Sequence, residues 1–345
     1  MTPSALLPPI FSRFDQARTV LLAGAGGGYD LFCGLPLYFA LTGLGKQVIL
    51  ANFSFTSLDL TQARQLGDAL YEVRPDTRSD LRYFPEVHLA RWLANQSHPQ
   101  SIYAFPRTGV RPLRSAYEQL VELFEVDTVL LVDGGTDSLM RGDEAGLGTP
   151  EEDAVSLAVM QELDGVEQKL LVCLGFGVDT FHGVAHAQYL EAVADLTRQG
   201  AYLGAWSLTP DMPEVQRYRE ALTFVHERMP DFPSIVSSSV LDAVEGHFGD
   251  HHTTTATRTS KLFINPLMGL YWAFKAERVA ARNLYLDQLR DTTTIGEVTR
   301  IIEAFRASCS TIRPWTSIPC EARYLTPSSP PFLMEGPCPR RPPIQ

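Results

Sequence analysis

The chain has 345 residues, of which 45% are hydrophobic and 20% are charged. This apolar share is enough for a sizeable core, so the composition excludes a disordered chain, and the length allows two domains or one large one. The net charge of −11 argues against a general binder of nucleic acids or anionic membranes, because an acidic surface repels phosphates. A small phosphorylated ligand held by local donors is still allowed.

The cysteines are widely spaced and contain no CxxC pair, which argues against a zinc knuckle or a disulfide framework. Residues 1–13 lack a charged leader, and no apolar run is long enough to span a bilayer. We therefore expect reduced thiols, a cytoplasmic location and no membrane insertion. The cysteines are Cys33, Cys173, Cys309, Cys320 and Cys338.

The N-terminal part of the chain has the pattern of a βαβ unit. Residues 19–23 (TVLLA) predict a strand that ends in the glycine cluster 24–28. The apolar segment 31–44 predicts a helix, and residues 47–51 (QVILA) predict a second strand. A strand, glycine turn, helix and strand within about 30 residues are typical of parallel strand pairs.

Similar strands recur further along the chain. Residues 128–132 and 169–174 predict strands, and residues 201–205 and 235–238 are weaker strand candidates. Their apolar runs are continuous rather than alternating, which favours parallel strands buried on both faces. The sequence thus predicts a Rossmann-like, doubly wound α/β fold with a mostly parallel sheet.

Helix start signals lie between these strands. Residues 115–118 (SAYE) and 294–297 (TIGE) fit a capping box. Residues 149–152 (TPEE) place Thr at the N-cap, Pro at the first helical position and acids in the first turn. Residues 266–289 predict a longer amphipathic helix, so we expect a helical C-terminal section that ends near Cys309.

These elements give a predicted division of the chain. Residues 1–17 form an N-terminal extension, and residues 18–312 form a single α/β domain. Within it, residues 71–114 predict an extended insertion around a short helix at 86–95, and such insertions are often substrate lids. Residues 313–345 are rich in Pro and predict an extended tail.

The glycine cluster after the first strand is the first candidate site. Gly26, Gly27 and Gly28 allow close approach of the backbone to an anion, and the amides at the following helix start would face it. Asp30 completes this motif. The alternative interpretation is a tight turn that needs glycine only for its backbone conformation.

The same cluster does not fit other nucleotide motifs. A dinucleotide fingerprint would need a third glycine where Tyr29 stands, and an acid at the end of the second strand where Asn52 stands. No Walker loop occurs either. Nicotinamide cofactors and P-loop chemistry are therefore disfavoured.

The densest polar cluster follows the strand at 128–132. Carboxylates at a strand end, with glycines between them, suit a Mg²⁺ site, for which Asp133 and Asp137 are the candidates. Arg141 could pair with a phosphate or carboxylate. The alternative is a solvated loop whose acids cap turns. The cluster consists of Asp133, Gly134, Gly135, Asp137, Arg141 and Glu144.

Two further clusters contain histidine. Asp179 and His182 follow the strand at 169–174, and His182 could transfer a proton. One of the adjacent histidines, His251, could complete a site built from the earlier loops together with Asp250, and Arg258 would suit phosphate binding. An ordinary polar residue and a hydrophilic surface loop are the alternatives.

Because ligands bind beyond the carboxyl ends of parallel strands, these motifs predict one pocket. The prediction requires Asp30, Asp133 and Asp179 to lie close together.

Two stretches also resemble a known family. GAGGGYDLFCGLPLYFAL, from residue 24, and DGGTDSLMRGDEAGLGTPEEDAV, from residue 133, resemble the two motifs of the DUF1152 family of bacterial and archaeal proteins. The resemblance covers most of residues 18–310. It implies a fold class and no reaction, so no catalytic residue is carried over from it.

The sequence thus favours an enzyme that acts on a small polar metabolite bearing phosphate or carboxylate, nucleotides included. Asp133 and Asp137, with Mg²⁺, would orient the reacting group, and His182 or His251 would transfer a proton. Hydrolysis, group transfer and lyase chemistry all remain open. A non-catalytic binding or sensing module is the main alternative, and a homo-oligomer that associates through apolar faces such as 267–274 is another.

Overall fold

The computed structural model describes residues 6–260 and 262–318, and in this part of the chain short buried strands alternate with helices. The strands are β1 (Thr19–Gly24), β2 (Gln47–Phe53), β3 (Arg64–Gly67), β4 (Leu70–Val73), β5 (Ile102–Phe105), β6 (Thr128–Asp133), β7 (Gln168–Cys173), β8 (Tyr202–Ser207), β9 (Gly249–Asp250), β10 (Phe263–Ile264) and β11 (Leu270–Lys275). The helices are α1 (Pro9–Gln16), α2 (Asp30–Cys33), α3 (Leu35–Gly43), α4 (Pro85–Asn95), α5 (Val110–Phe124), α6 (Pro150–Glu162), α7 (His186–Arg198), α8 (Pro213–Arg228), α9 (Ile235–Val244), α10 (Ala276–Ala280) and α11 (Ile295–Ser308).

Most strands join one mixed sheet in the order β3-β4-β5-β2-β1-β6-β7-β11-β8. Its centre, β5-β2-β1-β6-β7, is parallel, as the sequence predicts. The flanks are antiparallel: β3 and β4 on one side, β11 and β8 on the other. The weaker strand candidate at 201–205 corresponds to β8, but β8 is an antiparallel edge strand and not a buried parallel one.

The central strands are buried on both faces. In β1, Leu21 and Ala23 belong to one core cluster, whereas Val20 and Leu22 belong to the other. Successive side chains of a strand point to opposite faces, so a strand covered on both sides needs apolar residues at every position. This explains why the central strands read as continuous apolar runs.

The register of the central strands brings the loop motifs to one edge. Gly24 at the end of β1 lies opposite Asn52 of β2 and Val132 of β6. Asp133, the last residue of β6, lies opposite Cys173 of β7. The loops that follow β1, β6 and β7 therefore leave the sheet side by side.

The segment 235–238, predicted as a weak strand, belongs instead to helix α9. The side chain of Ser234 caps this helix by accepting a hydrogen bond from the Ser237 amide at 3.1 Å. A short apolar run does not distinguish a strand from a buried helix. The prediction was wrong because the run continues as a ten-residue helix.

The long helix predicted for 266–289 is also absent. This segment begins with a single 3₁₀ turn, Pro266–Gly269, and then forms β11, α10 and a second 3₁₀ turn, Leu286–Leu289. β11 pairs with β7 and β8, and these two ladders outweigh the helical periodicity of its sequence. Aromatic residues such as Trp272 also favour a strand.

The segment 71–114, predicted as an extended insertion, contributes to the main sheet. It holds part of β4 and all of β5, and β5 pairs with β2 beside the sheet centre. The predicted short helix at 86–95 is confirmed as α4. The capping box predicted at 115–118 is wrong, because α5 has already begun at Val110.

Other local signals are confirmed. Pro150 begins α6, and Thr294 and Glu297 form both bonds of a capping box at the start of α11. The helix predicted for 31–44 is divided into α2 and α3 at Gly34.

The ends of the described chain contact the sheet domain. In α1, Ile10 and Phe14 are buried in the core. Arg313 forms ion pairs with Asp143, Glu144 and Glu191, which ties the start of the predicted tail to the domain. The rest of that tail, 319–345 with Cys320 and Cys338, lies outside the described residues. No helix in the described ranges is long and apolar enough to cross a membrane.

The capping box of α11 gives a test of this part of the fold. Thr294→Ala removes the acceptor for the Glu297 amide, and we expect a loss of about 1 kcal/mol in the free energy of unfolding, measured in urea. Thr299→Ala, in the middle of the same helix, is the control and should change the stability by less than about 0.5 kcal/mol. Equal losses in both variants would contradict the capping role.

Candidate carboxylate site

A cavity of about 630 Å³ opens beside the carboxyl ends of β1 and β6. Its wall is formed by the loops that follow β1, β6 and β7, together with the first turns of α6 and α9. The predicted pocket residues Asp30, Asp133 and Asp179 all line it. The requirement that they lie together is therefore met.

Three aspartates converge at the floor of this cavity. Asp30 begins α2 after the glycine cluster, Asp133 ends β6, and Asp153 lies in the first turns of α6. One carboxylate oxygen from each lies within 4.8 Å of the others. Asp137 and Asp179 line the same cavity.

The scaffold holds one oxygen of several of these carboxylates in place. The amide of Gly26 donates to Asp30 Oδ2 at 2.6 Å, and the Ser138 hydroxyl donates to Asp133 Oδ2. These bonds fix the orientation of the Asp30 and Asp133 side chains.

Asp137 and Asp179 are anchored in the same way. The amide and hydroxyl of Thr149 donate to Asp137 Oδ2 at 2.8 and 3.2 Å. The amide and hydroxyl of Thr136 donate to Asp179 Oδ2 at 2.6 and 3.2 Å. These bonds fix each side chain with one oxygen occupied.

Asp153 differs from the other four. It is 3% exposed, and its Oδ1 has no hydrogen-bond partner among the described residues. A buried carboxylate oxygen without a donor costs free energy, so this side chain is the least stabilised of the five.

Electrostatics in the cluster oppose full ionisation. Burial raises the pKa of Asp30, Asp133 and Asp153 well above the usual aspartate range, and repulsion by neighbouring carboxylates, Asp137 in every case, raises it further. Burial also raises the pKa of Asp137 and Asp179. A bound cation would reverse this balance because it stabilises the ionised form of every carboxylate around it.

The glycines of both motifs make room for the carboxylates. A Cβ atom added at Gly26 would lie 2.8 Å from Asp30 Oδ2 and 3.0 Å from Asp153 Oδ1. At Gly134 it would lie 2.7 Å from Asp30 Oδ1, and at Gly135 it would lie 2.7 Å from Asp179 Oδ2. Close packing against carboxylates thus explains these three glycines.

Gly27 and Gly28 are needed for a different reason. Both have positive φ, 92° and 60°, and the ring of Phe55 packs against them. Asn52, at the end of β2, donates to the Gly28 carbonyl at 2.9 Å and to buried Glu86 at 2.8 Å. Asn52 stands where a dinucleotide-binding fingerprint has an acid, and here it holds the glycine loop.

The mouth of the cavity is aromatic. Phe55, Tyr83 and Phe232 line it, and the Phe55 side chain is about half exposed. Arg107 lies over the Phe55 ring, 5.4 Å from its centroid, and donates to Glu152 at 2.8 Å. The cavity thus combines an acidic floor with flat apolar surfaces near its opening.

The structure brings most of the predicted site residues to this cavity. His182 is exposed and lines it, at the end of the 3₁₀ turn Val178–His182. Gly135 lies behind the lining, against Asp179. The predicted residues that line the cavity are Gly26, Gly27, Gly28, Asp30, Asp133, Gly134, Asp137, Asp179 and His182.

Arg141 and Glu144 do not line the cavity and serve the loop itself. Arg141 pairs with Asp143 at 2.7 Å. Glu144 accepts the amides of Arg141 and Gly142 and pairs with Arg313. These contacts, most of them within the loop that follows β6, occupy the side chains of Arg141 and Glu144.

His251 and Arg258 are not brought to the cavity either. His251 follows β9 and lies 3.8 Å from Asp242, and Arg258 is exposed beyond the 3₁₀ turn Thr255–Thr257. This corrects the expectation that the segment completes the strand-end site. The structure places it elsewhere, because β9 pairs with β10 in a separate hairpin.

Sequence reasoning missed Asp153 as a site residue. The acids at the start of α6 were explained by the helix dipole, which accounts for Glu151 but not for a buried aspartate. Residues 152–160 are all buried, so α6 is covered on every side. An acid directly before the apolar run of such a helix is the sequence signal that could have drawn attention to Asp153.

The comparisons with known proteins place the chain in one family. The model of the family DUF1152, described as a protein of unknown function, matches residues 21–309. No curated protein and no solved structure matches the chain significantly.

The packing around Gly134 predicts a specific intolerance. Gly134→Ala places a methyl group against Asp30 Oδ1 and the sulfur of Cys33, and we expect a loss of about 1–3 kcal/mol in stability. Gly43→Ala is the matched control because it has no neighbour within 4 Å and lies in α3, where alanine should stabilise by about 0.5–1 kcal/mol. Urea unfolding measures both, and a neutral Gly134→Ala would refute the close packing.

The raised pKa values predict how stability depends on pH. The folded state holds protons that the unfolded chain has already released above the usual aspartate range, so without divalent cations stability should fall as pH rises from about 4. Asp153→Asn removes one repelling charge. We expect it to gain about 1 kcal/mol at pH 7.5, or about 2 °C in melting temperature, and nothing near pH 3.

Thermal unfolding in EDTA across this pH range is the measurement. Asp195→Asn is the control of opposite sign, because Arg282 donates to that carboxylate at 2.9 Å and lowers its pKa. A less stable Asp153→Asn variant at pH 7.5 would show that the cluster is not repulsive.

Proposed function

Since this chain belongs to the DUF1152 family, whose function is unknown, we propose from its own site that it is an enzyme using a divalent cation of the Mg²⁺ type on a small metabolite that bears phosphate or carboxylate. The observation that carries this proposal is the cluster of Asp30, Asp133 and Asp153, in which the buried Oδ1 of Asp153 has no hydrogen-bond partner among the described residues.

The charge of the cavity supports a cation. Eight acidic residues line it, whereas Arg107 is the one lysine or arginine among the described lining residues, and Glu152 already pairs with it. A phosphate entering alone would be repelled. The acidic residues are Asp30, Asp133, Asp137, Glu151, Glu152, Asp153, Asp179 and Asp231.

The donor set favours a hard ion. Mg²⁺ prefers carboxylate oxygens and keeps several waters, which suits an open cluster of three carboxylates that leaves space for a ligand. Asp30, Asp133 and Asp153 would hold the ion, and Asp137 would stand beside it. Such an ion neutralises the charge of a bound phosphate or carboxylate and polarises it.

The glycine loop then has a supporting role. The Gly26 amide already donates to Asp30, so it orients a ligand of the ion rather than the substrate anion. Asn52 and Phe55 hold Gly27 and Gly28 in their positive-φ conformations. The sequence predicts that the glycine loop binds a substrate anion. In this proposal the loop instead holds the carboxylate side chains of the site.

Proton transfer is assigned to His182. Among the described residues it is the histidine that lines the cavity, and it is exposed at the end of its 3₁₀ turn. A histidine in this position can exchange protons with solvent and with a substrate. Phe55 would offer a flat surface for the body of the metabolite.

The position in the fold agrees with this proposal. Taken in chain order, the five parallel strands lie in the order 3-2-1-4-5, as in Rossmann-like, doubly wound sheets. β1 lies between β2 and β6 in the sheet. The chain leaves β1 towards β2 on one side and leaves β6 towards β7 on the other, so the loops after β1 and β6 diverge. Ligands of such sheets bind at this point.

Binding of Mg²⁺ is the first test. The melting temperature of the wild-type protein should rise with added MgCl₂, and the rise should grow with pH as the carboxylates ionise. Asp133→Asn and Asp153→Asn should lose it, whereas Asp68→Asn, at an exposed site, should keep it. The same rise in all variants would place the ion elsewhere.

A ligand panel then identifies the metabolite class. Nucleotides, sugar phosphates and amino acids are tested with and without Mg²⁺, and a ligand at about 100 times its dissociation constant should add about 2.7 kcal/mol to stability. Turnover of the hit is followed by mass spectrometry. His182→Gln should keep binding and lose rate. A hit that binds with Mg²⁺ and is never consumed would favour the sensing module over the enzyme.

A further inference from the structure

A second group of metal-ligating side chains lies outside the cavity, where α9 ends. Asp242 is in the last turn of α9, His247 follows that helix, and His251 follows β9. One ligand atom from each lies within 4.8 Å of the other two. None of these residues lines the carboxylate cavity.

The distance between Asp242 and His251 is close to that between two ligands of one metal ion and too long for a hydrogen bond. His251 Nε2 lies 3.8 Å from Asp242 Oδ2, which is too long for a hydrogen bond. Two ligands of a tetrahedral zinc ion, each bound at about 2.0–2.1 Å, lie about 3.4 Å apart. Rotation of the side chains, the imidazole rings included, would bring the three onto one ion.

The two imidazole rings are stacked. The ring centroids of His247 and His251 lie 3.9 Å apart, and the ring planes differ by 8°. The nitrogen lone pairs of parallel rings lie side by side and do not converge, so binding of one ion by both histidines requires one ring to turn until both nitrogens face it.

Local contacts orient the ligands. Asp242 is 6% exposed, and its Oδ1 accepts a hydrogen bond from the Thr253 hydroxyl at 2.6 Å, which leaves Oδ2 towards His251. The same hydroxyl lies 3.3 Å from His251 Nε2. The His247 amide donates to the Asp242 carbonyl at 3.0 Å, so the residue is tied to the helix end.

The surrounding charge also favours a cation. Glu245 Oε2 lies 3.9 Å from His247 Nε2, while Glu245 Oε1 pairs with Arg219 at 2.8 Å. Two acids thus face the histidines, and Arg219 is engaged by one of them.

We infer that Asp242, His247 and His251 bind a divalent transition-metal ion of the zinc type, independently of the cation in the carboxylate cavity. Two imidazoles and one carboxylate suit Zn²⁺, Co²⁺ or Ni²⁺ and not Mg²⁺. The three leave at least one coordination position for water or another ligand. The ion would join the segment that follows α9 to the helix whose first residues, Ile235 and Val236, line the cavity.

Calorimetric titration of the metal-depleted full-length protein with Zn²⁺ tests this inference. We expect one zinc ion per chain, retained in Asp153→Asn and in the control His98→Asn, whose histidine is exposed. The double variant His247→Asn/His251→Asn should lose that ion. Thr253→Val should weaken its affinity by about 10-fold or more, because the carboxylate loses its orienting donor.

Visible absorption of the Co²⁺ form gives a second readout that does not depend on activity, since ligation by nitrogen and oxygen at a low-coordinate site gives intense bands. These bands should disappear in the double histidine variant and persist in Asp153→Asn. Undiminished Zn²⁺ binding in the double variant, or no stoichiometric binding in the wild type, would overturn the inference. Loss of the ion in Asp153→Asn alone would place it in the carboxylate cavity.

Discussion

Repulsion among carboxylates buried at one edge of the parallel sheet is the constraint on which the site depends. Asp30, Asp133 and Asp153 come from three different elements and meet at their charged ends. Nothing in the local chain favours this, since each pays desolvation and repulsion. The fold holds them because the Gly26 amide and the Ser138 hydroxyl donate to Asp30 and Asp133, and because the core behind them is packed on both faces of the sheet.

That constraint explains features which would otherwise look unrelated. Glycines stand at 26 and 134 because a Cβ atom would collide with a carboxylate, and Asn52 stands at the end of β2 to hold the glycine loop. The acidic charge of the cavity floor also bears on which kind of ligand the cavity can bind. Under the proposed function, an anionic metabolite would enter a cavity of this charge together with a cation, so cation binding and substrate binding belong to one proposal.

The sequence predicted the parts that depend on local pattern. The central strands, the glycine turns after them and the capping box at Thr294 all carry their information within a few residues. It failed where partners distant in the chain decide. β11 was mistaken for helix because its pairing with β7 and β8 cannot be read from 266–289, and β5 was hidden in a proline-rich stretch because only four residues form it.

The candidate site divides in the same way. The sequence by itself determined which loops follow the parallel strands, because strand ends and glycine turns are local properties. It also determined that these loops carry Asp30, Asp133, Asp137 and Asp179. Only the tertiary structure decided that Asp153 joins them, while His251 lies in a separate hairpin near Asp242 of α9. Helix packing and strand pairing set those distances, and both depend on contacts between residues far apart in the chain.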